Sequence, residues 1–196
     1  HHALSVSSIA VQQARELHGD LSAARVLVIG AGEAGRLTAE ALVGQGAREV
    51  TVANRTVARA EALAAELGGK AASFDELPDA IAMSDVIVAA SGAPDTLISL
   101  ETMRTAVERR EGSPLLIIDI GMPRDVDPEA GKLPGVSYHD MEALQEIAST
   151  NGRARADEIG AVEIVLEEEI ADFTKWWEQL RTQPTIATIS GRAETI

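Results

Sequence analysis

The chain has 196 residues, 31 acidic against 17 basic, a formal charge of −14 and no cysteine. Disulfides, a thiolate zinc site and a cysteine nucleophile are therefore excluded within it, and the negative charge argues against free-standing binding to nucleic acid, whose phosphates favour a basic face. The length suits one domain of roughly 130–150 residues plus an extension; no signal-peptide pattern opens it and no apolar run nears the roughly 20 residues that cross a bilayer, so a cytoplasmic protein with no membrane partner is expected.

In chain order, "SVSSIAVQQARELHGDL" reads as a short amphipathic helix, capped at its start by Ser7 or Ser8 and ended at Gly19. It makes residues 1–22 a linker segment. From there to about residue 140, apolar runs alternate with helical patterns. The spacing predicts strands at 26–29, 50–53, 71–74, 86–90, 115–120 and 136–138, with crossover helices at 34–44, 57–67, 77–83 and 100–109. The first, fourth and fifth strands are nearly continuous apolar runs, as in parallel strands covered on both faces. Such alternation predicts an α/β fold, a Rossmann-like doubly wound parallel sheet over 23–140. Residues 141–196 make up the last segment, and over 141–180 there is no strand signal and no proline. Leu144, Ile147, Ile159, Val162, Leu166, Ile170, Phe173, Trp177 and Leu180 recur at helical spacing between acidic residues, which predicts a long C-terminal helical extension, with a further short helix after Pro184.

Between the first strand and its helix stands Gly30-Ala31-Gly32-Glu33-Ala34-Gly35, with G-x-G-x-x-G spacing. In this pattern the first glycine permits the tight turn, the second lets a pyrophosphate approach the backbone, and the third lets the helix pack closely on the sheet. The helix N-terminus then presents free N–H groups and its positive dipole end to the phosphates. A strand before it and a helix after it are the context the pattern needs; the alternative is a glycine turn without a ligand.

The second strand ends in Asn54, Arg55 and Thr56 rather than in an acidic residue. An acid there would hold both ribose hydroxyls of NAD; a guanidinium forks onto phosphate oxygens instead. Arg59 lies one helical turn on, and Thr56 can donate to the phosphate while capping the helix. The expectation is NADP(H) rather than NAD. The alternative is that Thr56 only caps and Arg55 is simply solvated.

Ligands of open α/β sheets lie beyond the carboxyl ends of the strands. Two further turns belong there, "SGAP" with Ser91, Gly92 and Ala93, and "DIGMPRDVDP" with Ile120, Gly121, Met122 and Pro123. Small residues let a cofactor lie close to the backbone, and Ile120 and Met122 can pack on a nicotinamide. Asp125 and Asp127, ahead of Val and Pro, read as side-chain turns rather than an acid/base pair. His18 and His139 are isolated and read as structural, and no metal site is expected. Hydride transfer also needs something to orient the oxidised partner; no nucleophile or convincing general acid remains, so no catalytic residue is assigned.

Together these features resemble the glutamyl-tRNA reductases, over the NADPH-binding domain and the start of the dimerisation domain. "VLVIGAGEAG", "ANRT", "SGAP", "LLIIDIGMPRDVDP" and "LPGV" follow in that family's order, and the Pro123-Arg124-Asp125 and Asp127-Pro128 element is the most discriminating. "NRT" also recurs in shikimate dehydrogenases. The resemblance implies reduction of a glutamyl thioester, formed from glutamyl-tRNA on a cysteine of an N-terminal domain, to glutamate-1-semialdehyde in tetrapyrrole (porphyrin) synthesis. It implies NADPH on Gly30–Gly35 and Asn54–Thr56, with 91–93 and 120–123 toward the nicotinamide. It further implies glutamyl-tRNA as a partner through that other domain, homodimerisation through the C-terminal helices, and the downstream aminomutase as a further partner. Alone, the chain is expected to be inactive. Gly121 and Met122 stand where the family more often has Ala and Val. The alternatives are a shikimate-dehydrogenase-like NADP oxidoreductase and a stand-alone NADP(H)-binding regulatory module.

Overall fold

Strands that carry apolar side chains at successive positions must be covered on both faces, and this dictates the architecture. The computed structural model describes residues 5–150. Six strands, β1 (Arg25–Ile29), β2 (Glu49–Ala53), β3 (Lys70–Ala72), β4 (Val86–Ala89), β5 (Leu115–Asp119) and β6 (Val136–Asp140), form one parallel sheet in the order 3-2-1-4-5-6. This is the doubly wound order, with its switch point between β1 and β4. Helices α1 (Val6–His18), α2 (Glu33–Gly44), α3 (Val57–Leu67), α4 (Leu77–Met83) and α5 (Leu100–Glu108) cover the two faces. The α/β Rossmann-like expectation is borne out for this part of the chain. The long C-terminal extension and the helix after Pro184 lie outside the described residues, except that a helix opens at Met141 and runs to residue 150. Asp140 starts it by accepting from the Ala143 N–H at 2.9 Å.

Alternate side chains of each central strand enter opposite cores. Val26 and Val28 of β1, with Leu116 and Ile118 of β5, pack under α1, α2 and α3. Leu27 and Ile29, with Leu115 and Ile117, pack under α4 and α5. Leu144 is buried in the first core and Ile147 leans on it. Helix α1 belongs to the same core: Ile9, Ala10 and Ala14 are fully covered. Its start differs from expectation. Ser5, not Ser7 or Ser8, is the N-cap and accepts from the Ser8 N–H at 3.2 Å, because the helix begins one turn earlier. Its C-cap is Gly19, as expected, at φ +71°. The third strand also differs. It ends at Ala72, because Ser73 and Glu76 close a capping box that turns the chain before residue 74 can pair.

An arginine–aspartate cluster ties the amino ends of the central strands together. Asp85, just before β4, accepts from Arg25 through its backbone N–H (3.0 Å), Nε (3.0 Å) and Nη2 (2.8 Å), and Arg110 Nη2 lies 3.6 Å away. Burial acts to raise the Asp85 pKa, but the hydrogen bonds from Arg25 and the charges of Arg25 and Arg110 outweigh it and hold the carboxyl below its ordinary 3.8. A carboxyl depressed in the folded state contributes stability that is present above its unfolded pKa and lost as pH falls through the folded one. Unfolding free energy should therefore fall as pH drops from about 4 toward the folded value. Asp85→Asn should flatten that part of a urea-midpoint-against-pH curve; an unchanged acid limb would assign the dependence to other carboxylates.

Candidate functional site

The carboxyl ends of β2, β1, β4 and β5 stand side by side in the sheet, so the turns that follow them form one continuous rim. Every segment singled out above lies on that rim: 54–59 after β2, 30–35 after β1, 90–93 after β4 and 120–125 after β5.

The turn after β1 is built by close backbone approach. Gly30 has φ +99° and donates its N–H to the Ala53 carbonyl at 2.8 Å. A Cβ on Gly30 would lie 2.4 Å from the Ala90 carbonyl oxygen and 2.6 Å from the Ser91 Cα, so only glycine lets the turns after β1 and β4 meet. At Gly35 a Cβ would stand 3.1 Å from the Ala90 Cβ, which seats α2 close on the sheet. Gly32 is different. It is the N-cap of α2 at φ −89°, and its nearest neighbour would be an ordinary 3.8 Å away. The protein itself does not need glycine there; a ligand approaching the backbone would. Gly32 also gives α2 no side-chain cap, so the N–H groups of the first turn, around Glu33 and Ala34, are left to an anion or water. Ala31 is half-buried at the start of this turn, whereas Gly32, Glu33 and Ala34 are exposed. The Glu33 carboxylate turns to Arg36, with Nη2 at 2.7 Å and Nε at 3.1 Å, and these hydrogen bonds lower its pKa.

After β2, the Asn54 side chain donates to the Thr56 carbonyl at 3.0 Å and fixes the turn into α3. Thr56 occupies the N-cap position as expected, but its hydroxyl makes no capping bond. Arg55 and Arg59 are exposed, and their side chains make no hydrogen bond or ion pair among the described residues. Two unpaired cations and a free hydroxyl beside a helix N-terminus suit a phosphate.

The other half of the rim is held by two carboxylates that sequence reading undervalued. Asp119 and Asp125 are both 0% exposed. Asp119 accepts from the N–H groups of Gly121 (3.0 Å), Asp125 (3.3 Å) and Val126 (3.0 Å) and from the Tyr138 hydroxyl (3.1 Å). Burial raises its pKa, and these donors oppose the rise. Asp125 accepts from the Ser91 N–H at 2.7 Å and from the Ser91 hydroxyl, and that hydroxyl accepts from the Ala93 N–H at 3.0 Å. The reading of Asp125 as a local side-chain turn is therefore corrected: its partner lies 34 residues back, across β4 and β5. Asp127 does make the expected turn, accepting from the Glu129 N–H at 3.0 Å. No local pattern marks the Asp125 contact; burial of an aspartate beside a serine turn appears only in three dimensions.

Ile120 is half-buried against the first core, Gly121 is buried, and Met122, in a cis bond to Pro123, is 80% exposed on the rim. Gly92 takes φ +63° at the head of its turn, and Ala93 is buried. A cleft of about 430 Å³ opens between 121–124 and 140–142. A second of about 480 Å³, beside Arg48, Lys70 and Met83, contains none of the predicted site residues. His18 Nε2 lies 3.0 Å from the Asp85 carbonyl, and burial lowers the His139 pKa; neither joins the rim. Among the described residues no acidic or histidine cluster could hold a metal, and no helix is long and apolar enough to cross a membrane.

Comparison with known proteins agrees with this fold. The family model described as Shikimate / quinate 5-dehydrogenase matches residues 12–147. The glutamyl-tRNA reductase of Geobacter sulfurreducens is 40% identical over 194 residues, 99% of this chain and 45% of the relative. That of Bacillus subtilis is 39% identical over 194 residues, 99% of this chain and 43% of the relative. The solved glutamyl-tRNA reductase from Methanopyrus kandleri superposes with a TM-score of 0.75 at 42% identity, covering 94% of this chain and 47% of that one. The chain thus spans under half the length of the curated relatives it matches. It belongs to the Shikimate / quinate 5-dehydrogenase family and is homologous to the glutamyl-tRNA reductases over almost its whole length.

Proposed function

We infer that this chain is the NADPH-binding part of a glutamyl-tRNA reductase. The observation that carries the reading is the coincidence, on one rim, of a backbone cradle whose Gly32 the protein does not itself require, an uncapped α2 and the unpaired Arg55 and Arg59. When bound, NADPH would supply a hydride, here to the carbonyl carbon of a glutamyl thioester held elsewhere in the same polypeptide, with the C–S bond breaking to release the thiolate and leave glutamate-1-semialdehyde for tetrapyrrole synthesis. Within this chain, the N–H groups of residues 31–35 hold the pyrophosphate, and Gly30 and Gly35 bring strand and helix close enough for them to converge. Arg55, Arg59 and the Thr56 hydroxyl hold the adenosine 2′-phosphate, while Asn54 keeps their turn in place. Ser91, Gly92 and Ala93 with Ile120, Gly121, Met122 and Pro123 border the nicotinamide. Glutamyl-tRNA recognition, homodimerisation through the C-terminal helices and contact with the downstream aminomutase belong to the whole polypeptide, which acts in the cytoplasm.

The test is selectivity. The chain should bind NADPH more tightly than NADH in a fluorescence titration. Arg55→Ala removes charge-assisted hydrogen bonds worth about 1.5–3 kcal/mol and should cut the preference about ten- to hundredfold, with NADH affinity and melting temperature unchanged. An unchanged ratio would place phosphate recognition elsewhere. The family match also admits a dehydrogenase acting on shikimate or quinate; turnover of either with NADP⁺ by the full polypeptide would select that reading instead.

A further inference from the structure

The Asp125 carboxylate sits between the two turns on the β4–β5 side of the rim and touches both. On one side it takes the N–H and hydroxyl of Ser91. On the other, a Cβ on Gly121 would lie 2.6 Å from its Oδ2, so this chain's glycine lets the carboxylate come in directly beneath the 120–123 turn. With alanine at that position the carboxylate would have to move. Asp125 is itself held from behind. Its N–H donates to Asp119, its carbonyl accepts from the N–H groups of Leu97 (2.8 Å) and Ile98 (3.0 Å), and it has no exposed surface. A buried, hydrogen-bonded carboxylate that fixes two turns from opposite sides costs desolvation. The return is a fixed separation between segments 30 residues apart in sequence.

A doubly wound sheet binds a dinucleotide across its switch point, one nucleotide over each half. The arginines after β2 lie on the β1–β3 half, and the turns that Asp125 joins lie on the β4–β6 half. We propose that Asp125, acting through Ser91 and the 120–123 turn, is a positioning residue for the nicotinamide half of the cofactor and has no part in holding the adenosine phosphate. The proposal rests on the NADPH reading above. Asp125 does not touch the reacting atoms; it sets the floor on which the nicotinamide ribose and ring are placed.

The experiment compares two probes on the same chain: NADPH, and 2′,5′-ADP, which carries only the adenine half. Asp125→Asn keeps the shape but leaves one of the two Ser91 donors without its acceptor. It should weaken NADPH about tenfold, the scale of one hydrogen bond to a charged group, and leave 2′,5′-ADP binding unchanged. Ser91→Ala, which removes only the hydroxyl, should shift NADPH in the same direction by less and report even if the aspartate variant folds poorly. Equal weakening of both probes would mark Asp125 as a merely structural residue and overturn the proposal, as would unaltered NADPH binding in both variants. If the unsubstituted chain binds 2′,5′-ADP but not NADPH, the positioning role fails while the phosphate assignment stands. If it binds neither, the cofactor reading itself falls and takes the proposal with it.

Discussion

Replacing Arg110 by methionine is expected to cost about 3 kcal/mol of unfolding free energy, among the largest single losses in the chain outside the apolar core. The side chain is buried, with only 5% of the residue exposed, and its guanidinium is a hub rather than one half of a pair. Nη1 donates to the Ala82 carbonyl at 3.1 Å and to the Ser84 carbonyl, Nη2 to the Pro114 carbonyl at 2.7 Å, and Nε to the Ser113 carbonyl at 3.3 Å. It therefore joins the end of α4 to the approach to β5. Asp85 supplies the balancing charge 3.6 Å away. Methionine fills the channel of the arginine stem but donates nothing. The buried Ser84 carbonyl and the part-buried carbonyls of Ala82, Ser113 and Pro114 then lose their donor, and the Asp85 charge loses one of its two cations. In a chain of this size the loss corresponds to a melting-temperature decrease of about 6–12 °C. Arg110→Lys, which keeps the charge but not the planar fork, should recover only part of it. A methionine variant within 1 kcal/mol of the parent in urea unfolding, on the scale of a surface ion pair, would show that the carbonyls are solvated in solution.

Arg110 also shows where sequence reading reaches its limit. It ends the helical pattern at 100–109 beside other charged residues, and nothing local separates it from the exposed Arg109, which pairs with Asp79 at 2.7 Å. Strand and helix periodicity was legible because burial on two faces imposes it on consecutive residues. The glycine turn was legible because a positive φ and a close approach each exclude side chains at fixed spacing. Arg55 was legible as a residue type, an arginine where an acid would select a different ligand. The contributions of Asp119, Asp125 and Arg110 were not. Each acts on groups far off in sequence, and an aspartate before valine looks the same whether its carboxylate caps its own turn or crosses to Ser91. Element ends were obscured for a related reason. Ser5, Ser7 and Ser8 all have the chemistry of a cap, and which one serves is decided by how far α1 must extend to bury Ile9 and Ala14.

The two leading glycines of the cradle should fail in different ways when each is replaced by alanine. At Gly30, φ is +99° and the added methyl would meet the Ala90 carbonyl oxygen at 2.4 Å. Backbone blocks it on that side, so the turn must rotate or the ends of β1 and β4 must part. Either costs about 1–3 kcal/mol, by the scale of local backbone strain, and also destroys the geometry that aims the α2 N-terminus. At Gly32, φ is −89° and the nearest protein atom would stand at 3.8 Å. The fold accepts that methyl with at most the small cost of alanine at an N-cap, about 1 kcal/mol. It projects instead into the space that a pyrophosphate needs in order to reach the backbone N–H groups. Gly30→Ala should therefore lower both the melting temperature and NADPH affinity. Gly32→Ala should leave melting almost unchanged and still weaken NADPH by about a hundredfold, the scale of losing two charge-assisted hydrogen bonds. Calorimetric titration and thermal melts on the two variants separate the causes. Unimpaired NADPH binding by Gly32→Ala would mean that the diphosphate does not cross the α2 N-terminus, whatever Gly30 does to the fold.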